Sequence, residues 1–332
     1  MPHASFHCRY TALLTALAVT ALPHTARAKP PLLNPPVECT LGETCYIQHF
    51  VDTDPSHGFA DFTCGTLSYD GAKGTSFGLP DRAAMRAGVD VRPAAPGTVR
   101  ALRDGEPDRP FDPNMADEIK GRECGNGVVI DHGDGWTTQY CHLAKGSISV
   151  QKGQRVGMAS PIGQVGKSGK SNYPHLNFIL RKDGEVVDPF NPDGIIACDD
   201  IRKLGGSLWQ APMVYQPGGL IGLGVSDAVP EYETVKDGTA GRATLPASAP
   251  ALVVFALAFG TQEGDELRLS ISGPEGEITY REFTLEKQQD LTYRATGMRG
   301  ENWPVGSYSA IAQMRRKGKT IDTELIRFDV AP

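Results

Sequence analysis

Histidine is the side chain best suited to move protons near neutrality, and the five beyond residue 28 include a pair, His142 in Tyr140-Cys-His-Leu143 and His175 in Pro174-His-Leu-Asn177. An imidazole with its ordinary pKa of about 6.5 exchanges protons near neutrality. Alone it cannot make useful hydroxide, because water has a pKa of about 15.7 and needs bound zinc to bring it to about 7. Hydrolysis by this pair therefore requires a metal held by three imidazole, carboxylate or thiolate ligands. Two other chemistries can be set aside. Cys141 beside His142 suggests a thiol nucleophile and its base, but neighbours in a strand point to opposite faces, and disulfide bonding accounts for the cysteine better. Gly166-Lys-Ser-Gly-Lys-Ser171 looks like a phosphate loop, yet the glycine required five residues before its Gly-Lys is Pro161 or Gln164.

The chain must be large enough to hold such a site. With 332 residues, 40% of them apolar, it can bury a sizeable core and is expected to form two domains. Residues 1–28 have the pattern of a secretory leader: Arg9, an apolar run from Thr11 to Leu22, and Ala26-Arg27-Ala28 before Lys29. The apolar run is shorter than the roughly 20 residues a bilayer requires, so no transmembrane segment is expected. An exported protein follows, in the periplasm or outside the cell. Loss of the leader removes Arg9 and Arg27 from 33 basic residues and none of the 39 acidic ones, taking the net charge from −6 to about −8. That balance, without a basic stripe, argues against nucleic acid as a partner. Six cysteines follow the leader: Cys39, Cys45, Cys64, Cys124, Cys141 and Cys198. An even number in an exported chain points to disulfides, whose pairing the spacing leaves open. A thiolate zinc site is disfavoured because no Cys-x-x-Cys pair occurs.

Residues 39–190 alternate short apolar runs with Gly, Asp and Asn, the punctuation of strands and turns. Gly127–Asp131 and Trp136–Tyr140 flank a hairpin turn with Asp134-Gly135 supplying the positive φ values, and Asp183-Gly184 does the same between Phe178–Leu180 and Glu185–Val187. Helical spacing is confined to Asp81–Ala87 and Asn114–Lys120. From Ala251 a second β pattern begins, with an apolar run to Phe259 and alternation at Leu267, Leu269 and Ile271. These features predict an all-β, mainly antiparallel protein. The expected units are a leader at 1–28, a β-sheet domain with the cysteines at 29–200, a linker at 201–215 and a small β-sandwich at 216–332. Trp303-Pro-Val-Gly-Ser-Tyr308 resembles the turn-into-strand segment of immunoglobulin-like modules, and its aromatics read as core rather than binding site.

An ordered set of segments gives the first half a closer likeness. Gly125-Asn-Gly-Val-Val-Ile-Asp-His-Gly133 is followed by Tyr140-Cys-His-Leu143, then Gly166, Ser168-Gly169 and Ser171, then Pro174-His-Leu-Asn177. Over roughly residues 70–190 the chain resembles the LytM/lysostaphin-type zinc endopeptidases, which cut peptide cross-links in peptidoglycan. The resemblance implies a LytM-type β-sheet core. It also implies that zinc should be held by the His and Asp of an early H-x-x-x-D motif and the second His of H-x-H, with His142 and His175 assisting proton transfer. In Asp70-Gly-Ala-Lys-Gly-Thr-Ser76 the two early ligand positions hold Ala72 and Ser76, and the late one holds Asn177. A second register, Arg86-Ala-Gly-Val-Asp90, keeps the carboxylate but replaces the histidine by Arg86; the first leaves Gly88, Val91, Gly97 and Val99 in their expected places.

Alanine has no donor atom, and serine and asparagine offer only neutral ones, so no metal cofactor is expected although active relatives use zinc. The reading that follows is an exported, catalytically inactive LytM-domain protein that binds peptidoglycan peptides or regulates a cell-wall hydrolase such as an amidase. In it, His142 and His175 are hydrogen-bonded groups kept by packing or used in binding. The alternative is a zinc endopeptidase with substitute ligands, for example His142, His175 and Asp90. His49, His57 and His132 are the other histidines beyond residue 28.

Overall fold

Residues 1–4, 29–198, 200 and 203–332 are described by a computed structural model, so the leader expected at 1–28 lies almost wholly outside the described residues. The chain is nearly all β. In the first half, β1 (Tyr46–His49) and β2 (Thr75–Gly78) precede helix α1 (Arg82–Ala87). Then come β3 (Asp90–Val91), β4 (Gly97–Arg103), β5 (Asn126–Gly133) and β6 (Trp136–Leu143). β7 (Arg155–Val156), β8 (Gly163–Gln164), β9 (His175–Lys182) and β10 (Glu185–Val187) complete it. Seven strands run in the order β1-β2-β9-β6-β5-β4-β7, with β10 also on β9, and β3 pairs with β8 apart from them. Both expected hairpins form, with Asp134 and Asp183 at φ 48° and 53° and a glycine after each.

Asp81 caps α1 by accepting the Ala84 N–H at 2.7 Å, and Gly88 ends it at φ 86°. The helix expected over Asn114–Lys120 is only a single 3-10 turn at Pro113–Met115 followed by irregular turns. Those residues offer no buried face except Ile119, and a short segment without packing does not sustain a helix.

The second half contains β11 (Gly219–Ser226), α2 (Tyr232–Lys236), β12 (Thr244–Pro246), β13 (Ala251–Thr261) and β14 (Glu266–Gly273). β15 (Gly276–Thr284), β16 (Gln289–Arg299), β17 (Gly306–Arg316) and β18 (Lys319–Ala331) follow. A three-stranded sheet, β11-β13-β16, packs on a five-stranded one, β12-β18-β17-β14-β15. Tyr308 and Trp303 belong to that packing: Tyr308 is buried beside Phe328, and the Trp303 indole donates to Ala249 O.

β13 explains how the halves are joined. Leu252, Val254, Ala256 and Ala258 face the sandwich core, whereas Phe255, Leu257 and Phe259 face the core of the first half. A strand covered on both faces must be apolar throughout, and all eleven of its residues are buried. Burial of each large side chain contributes about 1.5–3 kcal/mol. Part of 201–215 is packed too: Leu33 and Leu208–Gln210 exchange backbone hydrogen bonds, and Trp209 packs against Phe77, Phe178 and Phe190. Across the joint, Arg82 pairs with Glu233 at 2.6 Å and Asp237 at 2.9 Å, and His49 with Asp290 at 3.3 Å.

The six cysteines form Cys39–Cys45, Cys64–Cys198 and Cys124–Cys141. The second spans 134 residues and ties the segment before β2 to the chain beyond β10. Replacing Cys64 and Cys198 by Ser is expected to lower unfolding free energy by about 2–5 kcal/mol. Denaturant unfolding of the double variant against the unmodified protein measures this.

Candidate functional site

β2, β9 and β6 lie side by side, and their antiparallel register sets one row of residues across them. Ser76 is opposite Asn177, Asn177 is opposite Cys141, and His49 on β1 is opposite Ser76. Directly opposed residues point to the same face. The register thus brings together two of the positions singled out in sequence, Ser76 and Asn177. Ser76 is buried at 2% exposure and Ala72 at 3%. The Ala72 backbone is tied into the preceding loop, its N–H donating to Tyr69 O and its carbonyl accepting from Asp52 N–H. The Asn177 Oδ1 is buried and has no hydrogen-bond partner. Gly74 makes room for this amide, since a Cβ there would come within 2.2 Å of Asn177 Oδ1.

His142 and His175 are also brought together, with ring centroids 4.6 Å apart. His142 Nδ1 lies 2.7 Å from Ser168 O, and His175 Nδ1 lies 2.8 Å from Tyr173 O. A carbonyl can only accept, so both rings carry the proton on Nδ1 and hold a lone pair on Nε2. Burial pushes His142 down from 6.5 to about 4, the Ser168 hydrogen bond opposing it. Burial, and then the neighbouring His142, push His175 down to about 3. Both imidazoles are neutral at physiological pH.

The backbone at His142 corrects one expectation. β6 bulges against β5: Gly127 is opposite Cys141 and Asn126 is opposite Leu143, leaving His142 as the extra residue at φ 66°. Alternation breaks there, and Cys141 and His142 both line the same cleft. The nucleophile reading still fails, because Cys141 is bonded to Cys124. The bulge is held by the His142 N–H donating to Cys124 O and its carbonyl accepting from Gly166 N–H. Gly125, at φ 62°, allows the close approach, since a Cβ would lie 2.4 Å from the Ser168 carbonyl carbon.

The other candidates lie elsewhere. Arg86 sits on α1 and donates to Asp237 O at 2.9 Å. Asp90 belongs to β3 and is approached by Gln164 Nε2 at 3.4 Å. His132 bonds Pro96 O and Thr138 Oγ1, and His57 lies beside Asp70. Among the described residues, no group of three or more His, Cys, Asp or Glu is arranged to hold a metal, so the substitute set of His142, His175 and Asp90 does not come together. The donors at the row itself, a hydroxyl and an amide, do not fit zinc.

In front of the row lies an open cleft of about 500 Å³, whose lining includes Tyr69, Lys73, Glu123, Gln139, Lys170 and Arg181. The sequence reading passed over these residues. Gln139–Cys141 on β6 and Asn177–Ile179–Arg181 on β9 follow the strand period of two, a signal that identifies Gln139 and Arg181 once the strands are known. His49 is a further neighbour, edge-on to Tyr69 at 5.2 Å and close enough to repel a proton from His175.

Residues 83–189 match the family model described as Peptidase family M23; the match begins after Ala72 and Ser76 and includes His142, His175 and Asn177. Cell division protein DipM of Caulobacter vibrioides is 31% identical over 118 residues, 36% of this chain and 18% of DipM. Peptidoglycan DD-endopeptidase ShyA of Vibrio cholerae is 44% identical over 64 residues, 19% of this chain and 14% of ShyA. Murein hydrolase activator EnvC of Escherichia coli is 35% identical over 97 residues, 29% of this chain and 21% of EnvC. The chain thus spans less than a quarter of the length of each of these relatives.

The histidine pair yields a test. Its folded pKa values lie below the unfolded value, so its contribution to stability is complete above about pH 6.5 and is lost as pH falls through about 4 for His142 and about 3 for His175. Ring-proton NMR signals of His142 and His175 are expected to titrate with midpoints below about pH 5; midpoints near the ordinary ~6.5 would contradict the burial argument.

Proposed function

We propose that this chain, which carries a Peptidase family M23 domain, is an envelope protein in which the family's zinc seat is lost and the cleft serves binding or regulation. The observation that carries the reading is the row Ser76–Asn177 beside the neutral pair His142 and His175. In the register that makes Ala72 and Ser76 the early ligand positions, all three seats lack an ionisable donor. The opposition of Ser76 to Asn177 supports that register, since two ligands of one ion must lie close together. The competing register puts Arg86 in an ion pair with Asp237 and Asp90 in the separate β3–β8 pair.

Without a metal the remaining groups supply little for amide hydrolysis. Two neutral imidazoles accept protons weakly at pKa values of about 3 and 4, and water at about 15.7 is far from activation. What persists is a shaped cleft with hydrogen-bonding walls. The proposed ligand is a peptidoglycan peptide or a cell-wall hydrolase such as an amidase, in keeping with relatives named for cell division and murein hydrolase activation. Export to the periplasm or beyond fits the three disulfides, which persist in oxidising compartments. Among the described residues, no helix is long and apolar enough to cross a membrane. In this reading 29–200 is the peptidase-like unit and 216–332, joined through 201–215, an immunoglobulin-like interaction module.

A zinc endopeptidase with substitute ligands is the second reading, favoured by the two neutral imidazoles whose ring centroids lie 4.6 Å apart. A peptidoglycan digestion assay separates the two. The unmodified protein is expected to release no fragments with zinc present, whereas a variant carrying Ala72→His, Ser76→Asp and Asn177→His gains zinc-dependent release. Digestion by the unmodified protein that is lost in His175→Ala would establish the second reading instead.

A further inference from the structure

The cleft in front of the row differs in charge from the chain that carries it. The protein has a formal net charge of −6, yet three cations and one carboxylate line this cleft: Lys73, Lys170 and Arg181 against Glu123. Glu123 is already engaged. It accepts the Gly121 N–H at 2.9 Å and is held below the usual carboxylate range by backbone hydrogen bonds and then by Lys170 and Arg103.

None of the three cations makes a salt bridge among the described residues. Arg181 spends one nitrogen on Gln139 Oε1 at 2.8 Å, and partial burial disfavours its charged form without a carboxylate to offset the loss. A guanidinium so placed keeps free N–H groups in the fork geometry that suits a carboxylate.

We propose that the cleft binds a peptide with a free carboxylate, whose anion is held by Lys73, Lys170 and Arg181. This rests on the reading of the cleft as a binding rather than a hydrolytic site, and adds to it the ligand's charge and the residues that select it. A like-charged wall with low-dielectric surroundings favours the anion over its neutral analogue, and the preference weakens with salt.

The test is an NMR titration of the full mature chain with N-acetyl-D-Ala-D-Ala, compared with its C-terminal carboxamide and with inorganic phosphate. The acid is expected to shift the Asn177 and Gln139 side-chain amides and to bind at least about tenfold tighter than the carboxamide or phosphate. Its affinity should fall on raising salt from about 0.1 to 0.5 M, where the Debye length shrinks from ~10 Å to under half of that. Arg181→Gln and Lys73→Gln should each remove most of the preference.

Equal binding of acid and carboxamide, tighter binding of phosphate, binding of neither peptide, or shifts confined to residues outside the cleft would each overturn the proposal. The carboxamide and salt comparisons need no variant, so misfolding of a variant cannot shield it. Failure here leaves the loss of the zinc seat standing. Cleavage of peptidoglycan by the unmodified protein would remove that reading while leaving a carboxylate preference intact.

Discussion

The antiparallel register of β2, β9 and β6 is the constraint on which the site depends. A slip of one residue would send every side chain of a strand to the other face, so the pairing of Ser76 with Asn177 and of Asn177 with Cys141 fixes what the cleft sees. The bulge at His142 is the second part of the same constraint. By placing one extra residue in β6 it turns the imidazole toward His175, whose ring is 4.6 Å away. Backbone contacts from the 166–169 loop hold it there, and the glycines of that loop are required by close approach rather than by flexibility.

The frame around the Ser76–Asn177 row is built from backbone pairing, glycine contacts and core packing, none of which needs a metal ion. Two features of the second half steady this frame. β13 lends one of its faces to the core of the first half, and Arg82 and Arg86 of α1 are tied to Asp237. The first half is thereby bound to the second through both apolar and ionic contacts.

Much of this could be read in the sequence, for identifiable reasons. The Asp134-Gly135 and Asp183-Gly184 turns were legible because positive φ has few residue solutions, and β13 because a strand buried on both faces must be apolar throughout. The family likeness singled out His142 and His175 together. Three things were not legible. The break in alternation at His142 comes from a bulge, which depends on tertiary contacts to Cys124 and Gly166. The disulfide pairing depends on which loops meet in space. The basic lining of the cleft draws Lys73, Lys170 and Arg181 from separate segments, and only the sheet brings them to one surface.

Metal occupancy tests the central claim most directly. Protein dialysed against excess zinc, freed of loosely bound ion and weighed intact by native mass spectrometry should carry no stoichiometric zinc, since the proposed seat offers a methyl group, a hydroxyl and an amide. One tightly held zinc per chain, displaced by changing His175 to Ala, would contradict the account.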